Sequence, residues 1–209
     1  MFAHRSWTHK SWKASKPLNF IGLVFFTLSL IGNSLGWVAI HREHHRFTDT
    51  KDDPHSPFFM SRWRIQFYNY YTTVKARYII DLAKDKLHFW FYRYYWQVNI
   101  LFLLLIFFVS QDFFELWIAA VGLSVFKTHT INTFGHNTPK FMLPVQGKTA
   151  TNSLVLFVLN INNGEAWHLN HHDDASSYRF GAKWYQLDPS ARFIEILASL
   201  KLAAIRKNN

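Results

Sequence analysis

The feature that most constrains this chain is where its cations are missing. No Lys or Arg occurs between Tyr94 and Phe126, between Leu18 and Ile40, or between Thr149 and Tyr178, although the 209 residues carry 23 of them. The gaps coincide with apolar runs. Nine consecutive apolar residues, Leu101 to Val109, leave no polar face for water. Tyr92 to Ser110 is about 19 residues, roughly 28 Å as a helix and close to the hydrocarbon thickness of a bilayer. Gln111-Asp112 makes a short turn. Phe113 to Phe126 then reaches the same length if its helix continues through Lys127 towards Ile131. Trp96, Trp117 and the Tyr run fall near headgroup level, and the turn carries no basic residue. This predicts a transmembrane hairpin with its open end in the cytoplasm. The same residues also allow a pair of buried helices in a soluble protein.

Leu18 to Ile40 is long enough to cross as well, but Asn19, Gly22, Gly32, Asn33, Ser34 and Gly36 interrupt it. A re-entrant or interfacial segment broken near Gly32–Gly36 fits better, because non-helical backbone at depth must be buried in protein. Met1-Phe-Ala-His4 has no apolar core of the kind a signal peptide needs, so none is expected. With 21 Phe, 9 Trp and 9 Tyr the chain is not disordered. It contains no Cys, which excludes disulfides, thiolate metal sites and a cysteine nucleophile. The net charge of +10 allows nucleic acid or an anionic membrane as partner. The cations flank apolar runs instead of lining one face, which favours the lipid bilayer and no nucleic acid.

Nine of the twelve histidines fall in four places. These are His4-Arg-Ser-Trp-Thr-His9, His41-Arg-Glu-His44-His45, Asn132-Thr-Phe-Gly-His136 and His168-Leu-Asn-His171-His172. On a helix, residues three and four apart share a face. His41, His44 and His45 are therefore expected to present three imidazoles to one point, as are His168, His171 and His172. Asn132 and His136 form another such pair. His4 and His9 are five apart, which needs a bend or a second metal. Imidazole suits iron, copper, zinc and nickel, and this many histidines suit two ions. For the clusters to converge, the Leu18–Ile40 and Thr149–Asn163 stretches must each return to the side they left. Glu43, Asp49, Asp53 and Glu165 either accept the second ring N–H of a ligand or only cap helices and solvate loops. His55, His88 and His129 are set aside as satisfied or exposed residues. A metal site beneath which the protein is apolar favours a substrate with a polar head and a long apolar tail.

At these residues the sequence resembles the membrane fatty acid desaturases, specifically the delta-9 acyl desaturase branch. His4-Arg-Ser-Trp-Thr-His9-Lys-Ser-Trp-Lys-Ala14 resembles its first histidine box. Trp37-Val-Ala-Ile-His41-Arg-Glu-His-His45-Arg-Phe-Thr-Asp49, with Asp53-Pro-His-Ser56, resembles the second. Gly164-Glu-Ala-Trp-His168-Leu-Asn-His-His172 resembles the third, and Trp184-Tyr-Gln-Leu-Asp188 continues the match. Ala166 and Leu169 stand where the branch usually has Gly and Asn.

The resemblance implies an all-α membrane protein with a transmembrane hairpin, re-entrant or interfacial helices, and a cytoplasmic helical cap carrying the histidine boxes. It implies one desaturase domain over 1–209, lacking the family's first two transmembrane helices and so N-terminally truncated or reduced. It implies two iron ions held by His4, His9, His41, His44, His45, His136, His168, His171 and His172, with Asn132 as a direct or water-mediated partner. No catalytic residue is implied beyond these ligands. O2 is the implied co-substrate, with electrons from a separate ferredoxin or b-type cytochrome. The implied reaction places a cis double bond, at the delta-9 position, in a fatty acyl chain carried as acyl-lipid, acyl-CoA or acyl-carrier protein. A related diiron hydroxylase or ketolase, or a non-catalytic remnant of the fold, are the alternatives.

Overall fold

The computed structural model describes residues 1–67, 75–137, 149–153, 156–158 and 164–206. The chain opens with a π-helical turn, Phe2–Thr8, in which the His9 amide donates to the His4 carbonyl at 3.2 Å. That i→i+5 pattern is the device the five-residue spacing of His4 and His9 required. No bend is needed, because the wider turn returns residues five apart to one face.

Strand β1, Trp12–Ala14, pairs antiparallel with β2, Ala203–Ile205, with Trp12 opposite Ile205. The all-α expectation is corrected here. Two three-residue strands between helix ends carry no hydrophobic period to read, and tertiary pairing alone makes them strands.

Helix α1, Lys16–Leu28, starts with Pro17 in its first turn, where a missing N–H does no harm. Leu30 and Gly32 take positive φ values of 56° and 137°, and Asn33 then caps α2, Ser34–Phe47, by accepting the Gly36 amide at 2.8 Å. The Leu18–Ile40 stretch is thus broken at 29–33, and Gly36 lies inside α2. Helix α3 is Arg62–Phe67, and α4, Ile80–Ala83, is a single turn. Asp85 caps α5, Lys86–Arg93, by accepting the Leu87 and His88 amides.

Helix α6, Tyr95–Val109, meets α5 at a 65° bend. The first hairpin arm therefore begins at Tyr95, not Tyr92. Helix α5 buries His88 and Phe91, and α6 buries Tyr95, Asn99 and Ile106. Helix α7, Gln111–Phe134, is capped by Ser110 and runs past Lys127 and Ile131. Among the described residues no single helix is long and apolar enough to cross a membrane; α5 and α6 reach that length only together.

Helices α8, His168–Asp173, and α9, Pro189–Ser199, follow. The expected return of Thr149–Asn163 lies partly outside the described residues. Ala3, Trp7, Leu23, Val38 and Phe91 knit the π-turn, α1, α2 and α5 into one core. Trp12, Ile194 and Leu197 join β1 to α9, and Ile131, Leu156 and Ala166 hold the end of α7 to the third histidine segment.

Candidate metal centre

The nine histidines expected as ligands form two adjacent groups. One donor atom from each of His4, His9, His41, His45 and His171 lies within 4.8 Å of the others, and the same holds for His44, His136, His168 and His172. The two groups touch through His45 and His172, whose rings stack with centroids 4.5 Å apart. Each H-x-x-H-H segment is split between the groups, which corrects the expectation of three imidazoles at one point. Successive helix residues diverge by about 100°, so His44 and His45 fork apart while His41 and His45 stay on one face. Helix α8 forks the same way, sending His171 to one group and His168 with His172 to the other.

Carboxylates orient two of the rings, and a third carboxylate lies beside another. Glu165 accepts from His4 Nδ1 at 2.9 Å, and Asp53 accepts from His44 Nδ1 at 3.0 Å. Asp49 lies 3.1 Å from His136 Nδ1, which also meets Thr149 Oγ1 at 3.0 Å. A proton fixed on Nδ1 leaves the Nε2 lone pair facing inward. The Nε2 atoms then meet at close range: 2.9 Å for His4–His171, 3.0 Å for His45–His171, 3.0 Å for His136–His168 and 3.2 Å for His168–His172. His9 Nε2 and His41 Nε2 are buried without a hydrogen-bond partner. Inward-facing lone pairs and orphaned ring nitrogens fit cations between them. Glu43 faces Lys75 instead of a histidine.

Burial drives the electrostatics. Desolvation, reinforced by neighbouring imidazoles, holds His9, His41, His44, His45, His168, His171 and His172 well below the ordinary imidazole value. They are neutral and able to donate lone pairs at neutral pH. Burial raises the Asp53 carboxyl to about 6 against the opposing pull of amides from His55 and Asp49. Burial also raises Glu165, but His4 and Arg5 outweigh it and bring that carboxyl to about 2.

Asn132 belongs to neither group. It lines a cavity of about 300 Å³ together with His4, His41 and His168. Phe2, Phe25, Phe26 and Ile131 form apolar wall of the same cavity. Ala166 and Leu169 do not line it; Ala166 is core and the Leu169 amide donates to Asn152.

His88 meets Ser34 and the Trp7 ring, and His129 pairs with the Gln66 carbonyl, so both tie helices together. His55 was set aside from sequence, yet it is buried against His44 with ring centroids 4.2 Å apart, and its amide donates to Asp53. The Asp53-Pro-His55 turn beside the second histidine segment was the available signal. Two arginines had no such signal. Arg5 is fully buried, bonds both oxygens of Asp188 at 2.9 Å and packs its guanidinium 3.8 Å over Phe180. Arg42 donates to the carbonyls of Trp7, Thr8 and Tyr78 and to Asp81.

A family model described as "Fatty acid desaturase" matches residues 1–198. The "Delta-9 acyl-lipid desaturase 2" of Arabidopsis thaliana is 34% identical over 213 residues, covering 93% of this chain and 66% of its own length. The "Acyl-CoA C20 Delta5-desaturase" of Anemone leveillei is 32% identical, with 96% of this chain and 66% of its own length covered. The "sn-1 stearoyl-lipid 9-desaturase" of Synechocystis is 31% identical over 96% of this chain and 64% of its own length. The chain thus spans about two thirds of the length of the curated relatives it matches. A family match over nearly the whole sequence coincides with four histidine segments meeting at one locus, and the chain belongs to the fatty acid desaturase family.

Proposed function

We propose that the protein is an O2-dependent acyl desaturase that places a cis double bond, at the delta-9 position, in a saturated fatty acyl chain. The observation that carries this reading is the convergence of nine imidazoles on two adjacent points beside a cavity with apolar walls. His4, His9, His41, His45 and His171 would hold one iron; His44, His136, His168 and His172, with Asn132 nearby, would hold the other. Iron bound there supplies the oxidant that an unactivated methylene requires.

The chain's own residues do the rest. Phe2, Phe25, Phe26 and Ile131 bind the acyl chain and exclude water, which places its methylenes near His4, His41 and His168. Glu165 and Asp53 hold the ring protons of His4 and His44 on Nδ1 and so aim each Nε2. In balance, two hydrogens leave adjacent carbons. O2 takes these, two external electrons and two protons to become two waters. A ferredoxin or b-type cytochrome supplies the electrons, and the substrate is an acyl-lipid, acyl-CoA or acyl-carrier protein.

The same reading places the protein in a bilayer with its metal centre on the cytoplasmic side. Supporting it, α6 is inside out. Asn99 is 2% exposed and donates to the Tyr95 carbonyl, while Leu101, Phe108 and Val109 are 68%, 80% and 75% exposed. That pattern suits lipid and would expose a large apolar surface to water. Expression of this chain with an electron donor in a desaturase-deficient host tests the proposal. New cis monoenes in the lipids are expected. Unchanged lipids, with iron-loaded protein in the membrane, or a hydroxylated product would overturn it.

A further inference from the structure

The C-terminal unit carries a surface that neither the metal centre nor the acyl cavity uses. Helix α9 buries Ala191, Ile194 and Leu197 on one side. Its other side is also apolar, with Phe193 48% and Ile196 54% exposed, where a helix facing only water would be polar. Leu187, Leu200 and Trp184 extend this face at 54%, 62% and 92% exposure. Trp184, Leu187, Phe193 and Ile196 line a groove of about 520 Å³ together with the cations Arg179, Lys183 and Arg192. Asp188, the acid lining the groove, is engaged by Arg5, and Glu195 beside it pairs with both Arg179 and Arg192, so the three cations keep a net positive charge.

The position of this face identifies its occupant. The β1–β2 pair and the bond from the Ser15 amide to the Leu202 carbonyl, at 2.8 Å, hold the segment after α9 against the start of α1. Exposed Leu200 and Leu202 therefore lie where α1 begins, and Phe20 and Ile21 continue the apolar surface along that helix. Lys13, Lys16 and Lys201 are exposed in the same segments. Amphipathic aromatics mixed with aliphatic side chains and cations match the layer between lipid headgroups and acyl chains.

We infer that the face formed by Trp184, Leu187, Phe193, Ile196 and Leu200 lies in the headgroup layer of an anionic bilayer and fixes the depth of the metal centre. This rests on the reading of the α6–α7 hairpin as lipid-embedded, and the two can be tested apart. The chain contains no Cys, so single spin labels can be placed without background. Labels go on Leu104→Cys in α6, Trp184→Cys, Ile196→Cys and, as a water reference, Lys51→Cys. The full chain is measured in nanodiscs of phosphatidylcholine with and without phosphatidylglycerol, using O2 and a water-soluble nickel chelate as relaxation agents.

In anionic discs, positions 184 and 196 are expected to favour O2 over the chelate more than position 51 and less than position 104. That preference should fall when phosphatidylglycerol is omitted or when Lys183→Glu and Arg192→Glu are combined. Water-like labels at 184 and 196 beside a lipid-like label at 104 would overturn this inference alone. A water-like label at 104 would overturn the embedded hairpin as well. Labels at 184 and 196 shielded from both agents, in detergent as in discs, would mean a protein partner or second copy covers the face. A preference indifferent to lipid charge would overturn the anionic specificity.

Discussion

Arg42 stands between His41 and Glu43 on α2, and its guanidinium closes the end of the π-turn by donating to the Trp7 carbonyl at 2.6 Å and the Thr8 carbonyl at 3.2 Å. A π-turn is a poor structure by itself, so the alignment of His4 with His9 depends on that clamp. Replacing a residue that orients metal ligands typically costs about 10- to 100-fold in affinity or activity. Arg42→Ala should therefore lose iron from the group containing His4 and His9 and keep it at His44, His136, His168 and His172. Iron content would fall from two per chain towards one, and two irons retained would contradict the clamp. Nine imidazoles depressed by burial, seven candidate ligands with His55 and His88, set a second prediction. Above about pH 6.5 they are neutral in folded and unfolded chains alike and contribute no pH dependence. As pH falls below that value the unfolded chain binds protons that the folded core refuses, so the iron-free protein loses stability. Asp53 has the opposite sign: with its carboxyl raised to about 6 from 3.8, the folded state takes up a proton first and offsets a small part. Nine groups against one leave net acid destabilisation. Urea midpoints at about pH 7.5 and 5.5 should differ in that direction, and equal midpoints would refute it. At this scale the histidines were legible because their spacing matches a helix, and the carboxylates because they lie nearby in sequence. Arg5 and Arg42 were not, since their partners are carbonyls and an aspartate that only the fold brings near.

Helix α7 delivers His136 through its last residues, and Gly135 is what lets it approach α8. A methyl group at Gly135 would lie 2.5 Å from the Ile131 carbonyl oxygen and 2.9 Å from the His168 ring. Neither contact is tolerable, so Gly135→Ala must displace the end of α7 or the His168 imidazole. Overpacking of this kind costs about 1–3 kcal/mol. A lower thermal midpoint is expected, together with weaker iron retention at the group containing His136 and His168. A variant with the parent's midpoint and iron content would show that this approach is not tight. The long elements were readable from sequence: α7 continues past Lys127 as its pattern indicates, and the break before α2 falls within a few residues of the glycines that suggested it. The 65° bend before Tyr95 was hidden, because no Gly or Pro in Tyr92-Arg-Tyr-Tyr-Trp96 marks a break. The π-turn was hidden for a different reason. Nothing in six residues states that five, instead of four, will close the turn.

Across the whole molecule, the two ends of the chain are locked together beside the metal centre. The β1–β2 pair does part of this, and the ion pair between Arg5 and Asp188 does the rest, with side chains 0% and 4% exposed. Asp188 also caps α9 through the Ala191 amide and accepts the Phe180 amide at 2.7 Å, so one carboxylate ties together the first histidine segment, the loop after the third, and the last helix. Gly164 is required nearby, because its φ is +72° and a Cβ there would sit 2.5 Å from Asp188 Oδ1. None of this closure was visible in advance, since residues 5 and 188 share no local pattern. Removing one partner of a buried pair costs about 3–5 kcal/mol where the other charge is stranded, and replacing both by apolar groups is far milder. Arg5 keeps the Tyr178 carbonyl and Glu165 at 3.9 Å, which places Asp188→Ala at the lower end. Asp188→Ala should therefore lower the thermal midpoint sharply and release iron on heating before the hairpin unfolds. Combining it with Arg5→Met should recover most of the ion-pair loss but not the helix cap, which contributes about 1 kcal/mol by itself. Measuring the single and double variants in detergent separates the two contributions. If Asp188→Ala alone is as stable as the parent, the ends of the chain are held by the strand pair and not by this charge.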